Sequence, residues 1–188
     1  MKESTSVPLR PTLWRTCRVL ANPRRLAMLQ LLVARGELDV SGVARLMDCS
    51  LGTASQSLRM LNARGLLNVR RNGRHVFYRA GGDRSLPESA LLLQAVVSAL
   101  GKSGASIDAL LKTLTAATHP RRQQILKWLR RPMRYGDLKA RMRVSSAALT
   151  RHLQKLRARA FLDTKSGWYR LAWPADDLRK ALLALAAR

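Results

Sequence analysis

Ser50-Leu-Gly-Thr-Ala-Ser-Gln-Ser-Leu-Arg-Met-Leu-Asn-Ala-Arg-Gly-Leu-Leu67, continued by Asn68-Val-Arg-Arg-Asn-Gly-Arg-His-Val-Phe-Tyr78, decides the fold. Ser50 is a side-chain acceptor ahead of a run that carries Leu58 and Leu61 on one helical face, so it reads as a helix cap. Asn72-Gly73 between two β-prone runs is the strongest short signal for a hairpin. Upstream, residues 40–47 read as a short helix. Before them Asn22 caps a helix whose first position is Pro23, where a missing N–H does no harm. Leu26, Leu29 and Leu32 then recur at helical spacing. Three helices followed by a hairpin make a winged helix-turn-helix.

The same pattern occurs a second time. Leu20-Ala-Asn-Pro-Arg-Arg-Leu-Ala-Met-Leu-Gln-Leu-Leu32 matches Ala117-Thr-His-Pro-Arg-Arg-Gln-Gln-Ile-Leu-Lys-Trp-Leu129, and Pro23 aligns with Pro120. Further on, Ser50 aligns with Ser145, Leu58 with Leu153, Leu61 with Leu156, and Gly65-Leu-Leu67 with Ala160-Phe-Leu162. The second spacing is two residues shorter than the first, so an intervening loop has shortened. Residues 135–142 supply the second short helix. Leu162-Asp-Thr-Lys-Ser-Gly-Trp-Tyr-Arg-Leu171 supplies the second, less basic hairpin. Helices are expected also over 12–21, 87–101, 107–117 and 176–187, the one at 87–101 apolar nearly all round. The expected fold is mainly α with small β-hairpin wings: two tandem winged helix-turn-helix domains. Residues 1–103 form the first, closed by the packing helix 87–101, and 104–188 the second, with Gly101-Lys-Ser-Gly104 as the linker.

The chain is 188 residues long and carries 35 Lys+Arg against 11 Asp+Glu, a net charge of +24. Both halves are basic, so a folded protein of this charge calls for a polyanionic partner. No stretch is long and apolar enough to span a bilayer, and 1–11 has no secretory character. Cys17 and Cys49 lack a Cys-x-x-Cys spacing, which fits a reducing cytoplasm and, with the charge, association with the bacterial nucleoid. No Ser/His/Asp or Cys/His constellation, phosphate loop or carboxylate pair is present, so no enzyme is expected. No cofactor and no metal site is expected either.

The opening Leu-Ala-Asn-Pro-Arg-Arg-Leu and the pattern from Ser50 to Leu66 resemble the ArsR-type winged-helix transcription regulators. The match covers about 12–100 well and about 106–188 more weakly. The resemblance implies a repressor that binds operator DNA as a two-fold dimer. With two copies in one chain, that dimer is either mimicked within the chain, as a pseudo-dimer, or built as a homodimer with four winged domains. The helix at 87–101 would pack on the other copy's terminal helices. Metal-sensing members carry two cysteines where this chain has Asp39 and Ser41, in Glu37-Leu-Asp-Val-Ser-Gly-Val43. The helix at 87–101 offers only Glu88 to a zinc ion. Soft metals require thiolate ligands, so metal sensing is not expected, and any effector is of another kind.

A recognition helix presents its N-terminal and outward residues to base edges. These are Thr53, Ser55, Gln56 and Arg59 in the first copy, and Ala147, Thr150, Arg151 and Gln154 in the second. Gln pairs with adenine and Arg with guanine by two hydrogen bonds each. Arg70, Arg71 and Arg74 in the wing suit phosphates or a minor groove, and Lys155, Arg157 and Arg159 the backbone. The two helices present different side chains, so the expected duplex site is asymmetric. His119 reads as a cap, His152 as packed under its helix and His75 as a wing residue. Both cysteines read as packed thiols, and Trp14, Trp128, Trp168 and Trp173 as core and interface packing. Three other readings compete. A non-specific architectural DNA-binding protein would show steep salt dependence and no preferred site. An RNA-associated winged helix would want more aromatics than the 5% present. In a protein-interaction module the charge would be incidental.

Overall fold

Most of the described helices start at a local polar cap, though the one that begins at Leu13 does not. In the computed structural model, which describes residues 12–101 and 105–188, the Asn22 side chain accepts the Arg25 N–H at 3.0 Å. Pro23 follows at the first helical position. Of the expected linker 101–104, Gly101 is the last residue of a helix, and 102–104 lie outside the described residues, as does the segment 1–11. Helices α1 (Leu13–Leu20) and α2 (Pro23–Arg35) lead to a two-residue strand β1 (Leu38–Asp39). Then come α3 (Val40–Leu46) and α4 (Leu51–Asn62), the latter capped by Ser50, which accepts the Thr53 N–H at 3.2 Å. Strands β2 (Leu67–Asn72) and β3 (His75–Ala80) form the hairpin, and α5 (Pro87–Gly101) follows.

The order then recurs. It runs α6 (Ile107–Leu114), a 3₁₀ turn (Thr115–Ala117), α7 (Pro120–Trp128), β4 (Met133–Arg134), α8 (Tyr135–Met142) and α9 (Ser146–Arg157). Strands β5 (Leu162–Lys165) and β6 (Trp168–Leu171) and helix α10 (Asp177–Ala186) complete it. His119 Nδ1, Ser145 and Asp176 accept the N–H groups of Arg121, Ala148 and Arg179. Left-handed residues recur at matching places: Asp48 and Arg143 after the short helices, Gly65 and Ala160 after the following ones.

Several boundaries differ from the sequence reading. The expected helix 107–117 ends as a 3₁₀ turn. The helix read over 176–187 begins at Asp177, because Asp176 is its cap. The two missing residues of the second copy lie at the end of α7, four residues shorter than α2, which runs on to Gly36 at φ 80°. Strands β1 and β4 were not anticipated. Each adds to its hairpin from the β3 or β6 side, giving antiparallel sheets ordered β1-β3-β2 and β4-β6-β5. The first turn is Gly73-Arg74 rather than Asn72-Gly73, since Asn72 pairs with His75 and only Gly73 has positive φ. In the second turn both Ser166 and Gly167 do.

One contiguous core joins the elements, from Leu20, Leu26 and Leu58 to Ile125, Leu149 and Leu182, all fully buried. Helix α5 buries Leu92, Leu93, Val96 and Ala99 and packs against α1, α2, α6 and α10. Its near-continuous apolarity is thus used on several sides. Helix α1 packs against α6 and the 3₁₀ turn. The tryptophans divide. Trp128 packs against the core, whereas Trp168 is 40% exposed and Trp173 89% exposed. Those two correct the packing expectation: Trp168 lies on the outer face of a sheet and Trp173 on the open connection to α10.

Candidate nucleic-acid interface

Helix α4 buries Ala54, Ser57, Leu58 and Leu61, and α9 buries Leu149, Leu153 and Leu156. Burying these positions turns the residues between them outward. On α4, Gln56 and Arg59 are exposed while Thr53 and Ser55 are half-buried. The Thr53 hydroxyl is engaged with Ser50 Oγ at 2.9 Å, and Arg59 Nε donates to the Ser55 carbonyl at 3.4 Å. On α9, Ala147, Thr150, Arg151, Gln154 and Lys155 are all exposed. Thr150 Oγ1 is 3.1 Å from the Tyr135 hydroxyl, which donates to the Ser146 carbonyl at 3.0 Å. Gln56, Arg151, Gln154 and Lys155 make no side-chain hydrogen bond among the described residues and so keep their full donor sets for a ligand. With Ser50 and Ser145 as matching caps, Gln56 stands where Arg151 does and Arg59 where Gln154 does. Ala147 matches Gly52, and it is Ala148 that matches Thr53.

The wing arginines are not one cluster. Successive strand residues point to opposite faces, and Arg70 pairs across with Phe77 while Arg71 pairs with Val76. Arg70 is spoken for. Its Nε lies 3.2 Å and 3.3 Å from the two carboxylate oxygens of Glu37, and its guanidinium sits 4.8 Å from the Phe77 ring centre. This pairing holds the Glu37 carboxyl below the usual range and raises Arg70 in turn. Arg71 and Arg74 are exposed and form no ion pair among the described residues.

The repeated Pro-Arg-Arg has a structural meaning that spacing alone did not reveal. Arg25 Nε donates to the Val19 carbonyl at 2.5 Å, and Arg122 Nε to the Ala116 carbonyl at 2.7 Å. Each second arginine thus turns back to carbonyls left unpaired at the end of the preceding helix. Arg122 also donates to the Thr115 carbonyl and to Thr118 Oγ1, and burial lowers its pKa. The His119 and His152 rings lie 4.7 Å apart, centre to centre, tilted by 47°. His152 Nδ1 is buried without a hydrogen-bond partner among the described residues, which agrees with its packed reading. Burial first, then His119 and the cations Arg122, Arg121 and Lys155, push His152 down to about 4; His119 is lowered too.

Further cations reached this surface unnoticed. Where the first copy has Leu46, Asp48 and Met60, the second has Arg141, Arg143 and Lys155; of these only Lys155 was anticipated. The alignment through Ser50 and Ser145 already held that signal. Asp39 is engaged as the cap of α3, accepting the Gly42 N–H at 2.8 Å. Among the described residues no group of three or more His, Cys, Asp or Glu is placed to hold a metal ion, and no helix is long and apolar enough to cross a membrane. Cys17 is fully buried, which raises its pKa, and Cys49 is partly buried against the core.

Comparison with known proteins finds similarity to bacterial regulators. The chain is 42% identical over 69 residues to an HTH-type transcriptional regulator of Mycobacterium tuberculosis, covering 37% of this chain and 30% of that protein. It is 33% identical over 86 residues to a homolog of the cadmium resistance transcriptional regulatory protein CadC from Staphylococcus aureus, covering 45% of this chain and 71% of that one. It is 35% identical over 68 residues to the biofilm growth-associated repressor of Agrobacterium fabrum, 36% of this chain and 57% of the repressor. The chain therefore spans less than two thirds of the mycobacterial and Agrobacterium relatives. A solved structure of a "possible transcriptional regulatory protein" fragment from Mycobacterium bovis aligns with a TM-score of 0.36 at 37% identity, over 45% of this chain and 88% of that one. No protein-family model matches the chain.

Proposed function

This chain belongs to the ArsR-type winged helix-turn-helix transcriptional regulators, and from that premise we propose that it is a sequence-specific repressor reading duplex DNA with two recognition helices, α4 and α9. The observation that carries the proposal is the recurrence, in one chain, of a capped helix with an apolar inner face and free polar groups outside, followed each time by a hairpin. We divide the chain into a first domain, 1–103, and a second, 104–188. The packing of α5 on α10 and of α1 on the 3₁₀ turn supports a pseudo-dimer within the chain over a homodimer. The half-sites would then lie about one helical turn, roughly 34 Å, apart. They would differ in sequence, because Gln56 and Arg59 present one donor–acceptor pattern and Arg151 and Gln154 another.

The contact residues in this reading are Thr53, Ser55, Gln56, Arg59, Arg71 and Arg74 in the first copy, with Arg70 available only when released from Glu37. In the second copy they are Ala147, Thr150, Arg151, Gln154 and Lys155. Selection from a random duplex pool at near-physiological salt tests the proposal, with a single-stranded RNA pool in parallel. A two-part duplex motif is expected. Duplex binding without enrichment would favour the architectural reading, and RNA enrichment would overturn both. With the motif in hand, Arg151→Ala should relax preference at one half-site only, costing about 1–3 kcal/mol. Unchanged affinity and preference would mean that the second copy does not read bases. Light scattering distinguishes pseudo-dimer from homodimer.

A further inference from the structure

Helix α7 is one turn shorter than its counterpart, and a groove opens at its end. It stops at Trp128, whereas α2 runs on to Arg35. The chain then turns through Arg131 and Pro132 into β4, with the Arg131 N–H 3.4 Å from the Trp128 carbonyl. Between the end of α7 and the exposed side of α8 lies an open groove of about 530 Å³. Small-molecule sites span about 300–1,000 Å³. Its apolar lining is Trp128, Pro132, Met133 and Ala140. Met133 is buried and Trp128 half-buried against the core, so this lining is held in place from behind.

Arg131, Asp137 and Arg141 supply the charge. Asp137 is engaged at the start of α8, where its side chain accepts the Arg134 N–H at 3.3 Å. The neighbouring Arg134 has a partner too, its guanidinium lying 5.0 Å from the Trp168 ring centre. Arg131 and Arg141 are exposed and form no ion pair among the described residues. Two guanidiniums against one carboxylate leave the groove positive. An indole, a proline ring and a thioether beside them suit a flat aromatic ring. A guanidinium fork takes a carboxylate by two parallel hydrogen bonds, and Asp137 disfavours a second negative charge. The lining holds no thiol or imidazole, so its chemistry is not that of a soft-metal site. Leu31, Gly42 and Leu46 stand in the first copy where Trp128, Asp137 and Arg141 stand in the second.

We propose that this groove binds a small aromatic monocarboxylate, its ring against Trp128 and its carboxylate on Arg131 and Arg141, and that the bound acid weakens DNA binding by the second copy. The regulation rests on the DNA-binding function proposed above; the binding site does not. Arg141 is one of the extra cations of the second copy's nucleic-acid surface. An anion held on it lowers the positive charge offered to phosphate. The ligand also ties the end of α7 to α8, which packs against the recognition helix α9. Acid and duplex therefore oppose each other, each weakening the other by the same factor. With Leu46 in place of Arg141, the first copy has no such site, so the effect falls on one half-site.

Calorimetry and ligand-observed NMR on the full chain test the site, with 2-naphthoate as the probe and 2-naphthamide as its neutral twin. Saturable binding of the acid is expected, about tenfold tighter than the amide. Arg131→Gln and Arg141→Gln, both at exposed positions off the core, should each weaken the acid roughly three- to tenfold and leave the amide unchanged. Trp128→Leu, which installs the first copy's residue, should weaken both probes. Fluorescence anisotropy with the selected duplex tests the regulation. Saturating 2-naphthoate should weaken duplex binding roughly two- to fivefold and lower the salt slope by up to about 1, and Arg141→Gln should abolish that response. No saturable binding of the acid, or equal binding of acid and amide, would overturn the site. Binding that leaves duplex affinity unchanged would overturn the regulation. If wild type binds no duplex yet holds the acid through Arg131 and Arg141, the regulator reading falls and the site stands.

Discussion

Replacing Arg122 by alanine separates a structural arginine from a DNA-binding one. Its side chain is 6% exposed and makes three hydrogen bonds, to the Ala116 carbonyl at 2.7 Å, the Thr115 carbonyl at 2.9 Å and Thr118 Oγ1 at 2.7 Å. Removing the guanidinium takes a donor from each of these acceptors, and among the described residues only the Thr115 carbonyl keeps another, the Thr118 hydroxyl at 3.1 Å. Water reaches some of them afterwards, so each bond is taken at the low end, about 1 kcal/mol. The total is about 3 kcal/mol, equivalent to about 6–12 °C in melting temperature for a chain of this size. Arg25 does the same work in a more exposed setting with one short bond, to Val19, and a long one to the Arg18 carbonyl at 3.4 Å. Arg25→Ala should therefore cost about a third as much. Arg121→Ala, at an exposed neighbour, should leave the melting temperature unchanged. Lysine at 122 should recover only part of the loss, because one ammonium cannot span three diverging acceptors. Thermal denaturation followed by circular dichroism, with duplex binding measured in parallel, reads all four variants. An Arg122→Ala protein that melts like wild type but loses DNA binding would refute the argument and return the Pro-Arg-Arg motif to the DNA surface.

Three further outcomes are expected. His152 titrates at about 4 in the folded chain against 6.5 for the free side chain; between those values the unfolded chain binds the proton more readily, so stability falls as pH drops from about 6.5 toward 4. His152→Gln should flatten that part of the melting curve's pH dependence, and a slope identical to wild type would exclude His152 as its source. Glu37→Gln should release Arg70 and tighten duplex binding by roughly two- to fivefold, with a salt slope steeper by up to about 1; unchanged binding would show that Arg70 does not face the DNA. Ala160 holds φ 55° where the first copy has Gly65 at φ 66°, so Ala160→Gly should stabilise the chain by about 0.5–1 kcal/mol, readable as a rise in melting temperature.

The helices were legible because their signals are local. Asn22, Ser50, His119 and Ser145 each satisfy an N–H two or three residues ahead, and the leucines recur within a turn or two. The repeat was legible because two copies of those signals stand in register. The strands β1 and β4 were not, since two residues carry no alternation and become strands only by pairing with β3 and β6. The recognition faces of α4 and α9 could be read from helical periodicity. The wing could not: Arg70 and Arg71 look equivalent in sequence, yet one is paired to an acid 33 positions away and the other forms no ion pair among the described residues.

By itself, then, the sequence determined the caps, the helical periods, the doubling of the pattern and the excess of positive charge, all properties of neighbours or of composition. Tertiary structure decided which cations remain available to a ligand. Glu37 and Arg70, Ala116 and Arg122, and Arg134 and Trp168 meet only once the chain has folded. A charge is neutralised, buried or left open according to distances of a few ångströms through space, which spacing along the chain does not encode.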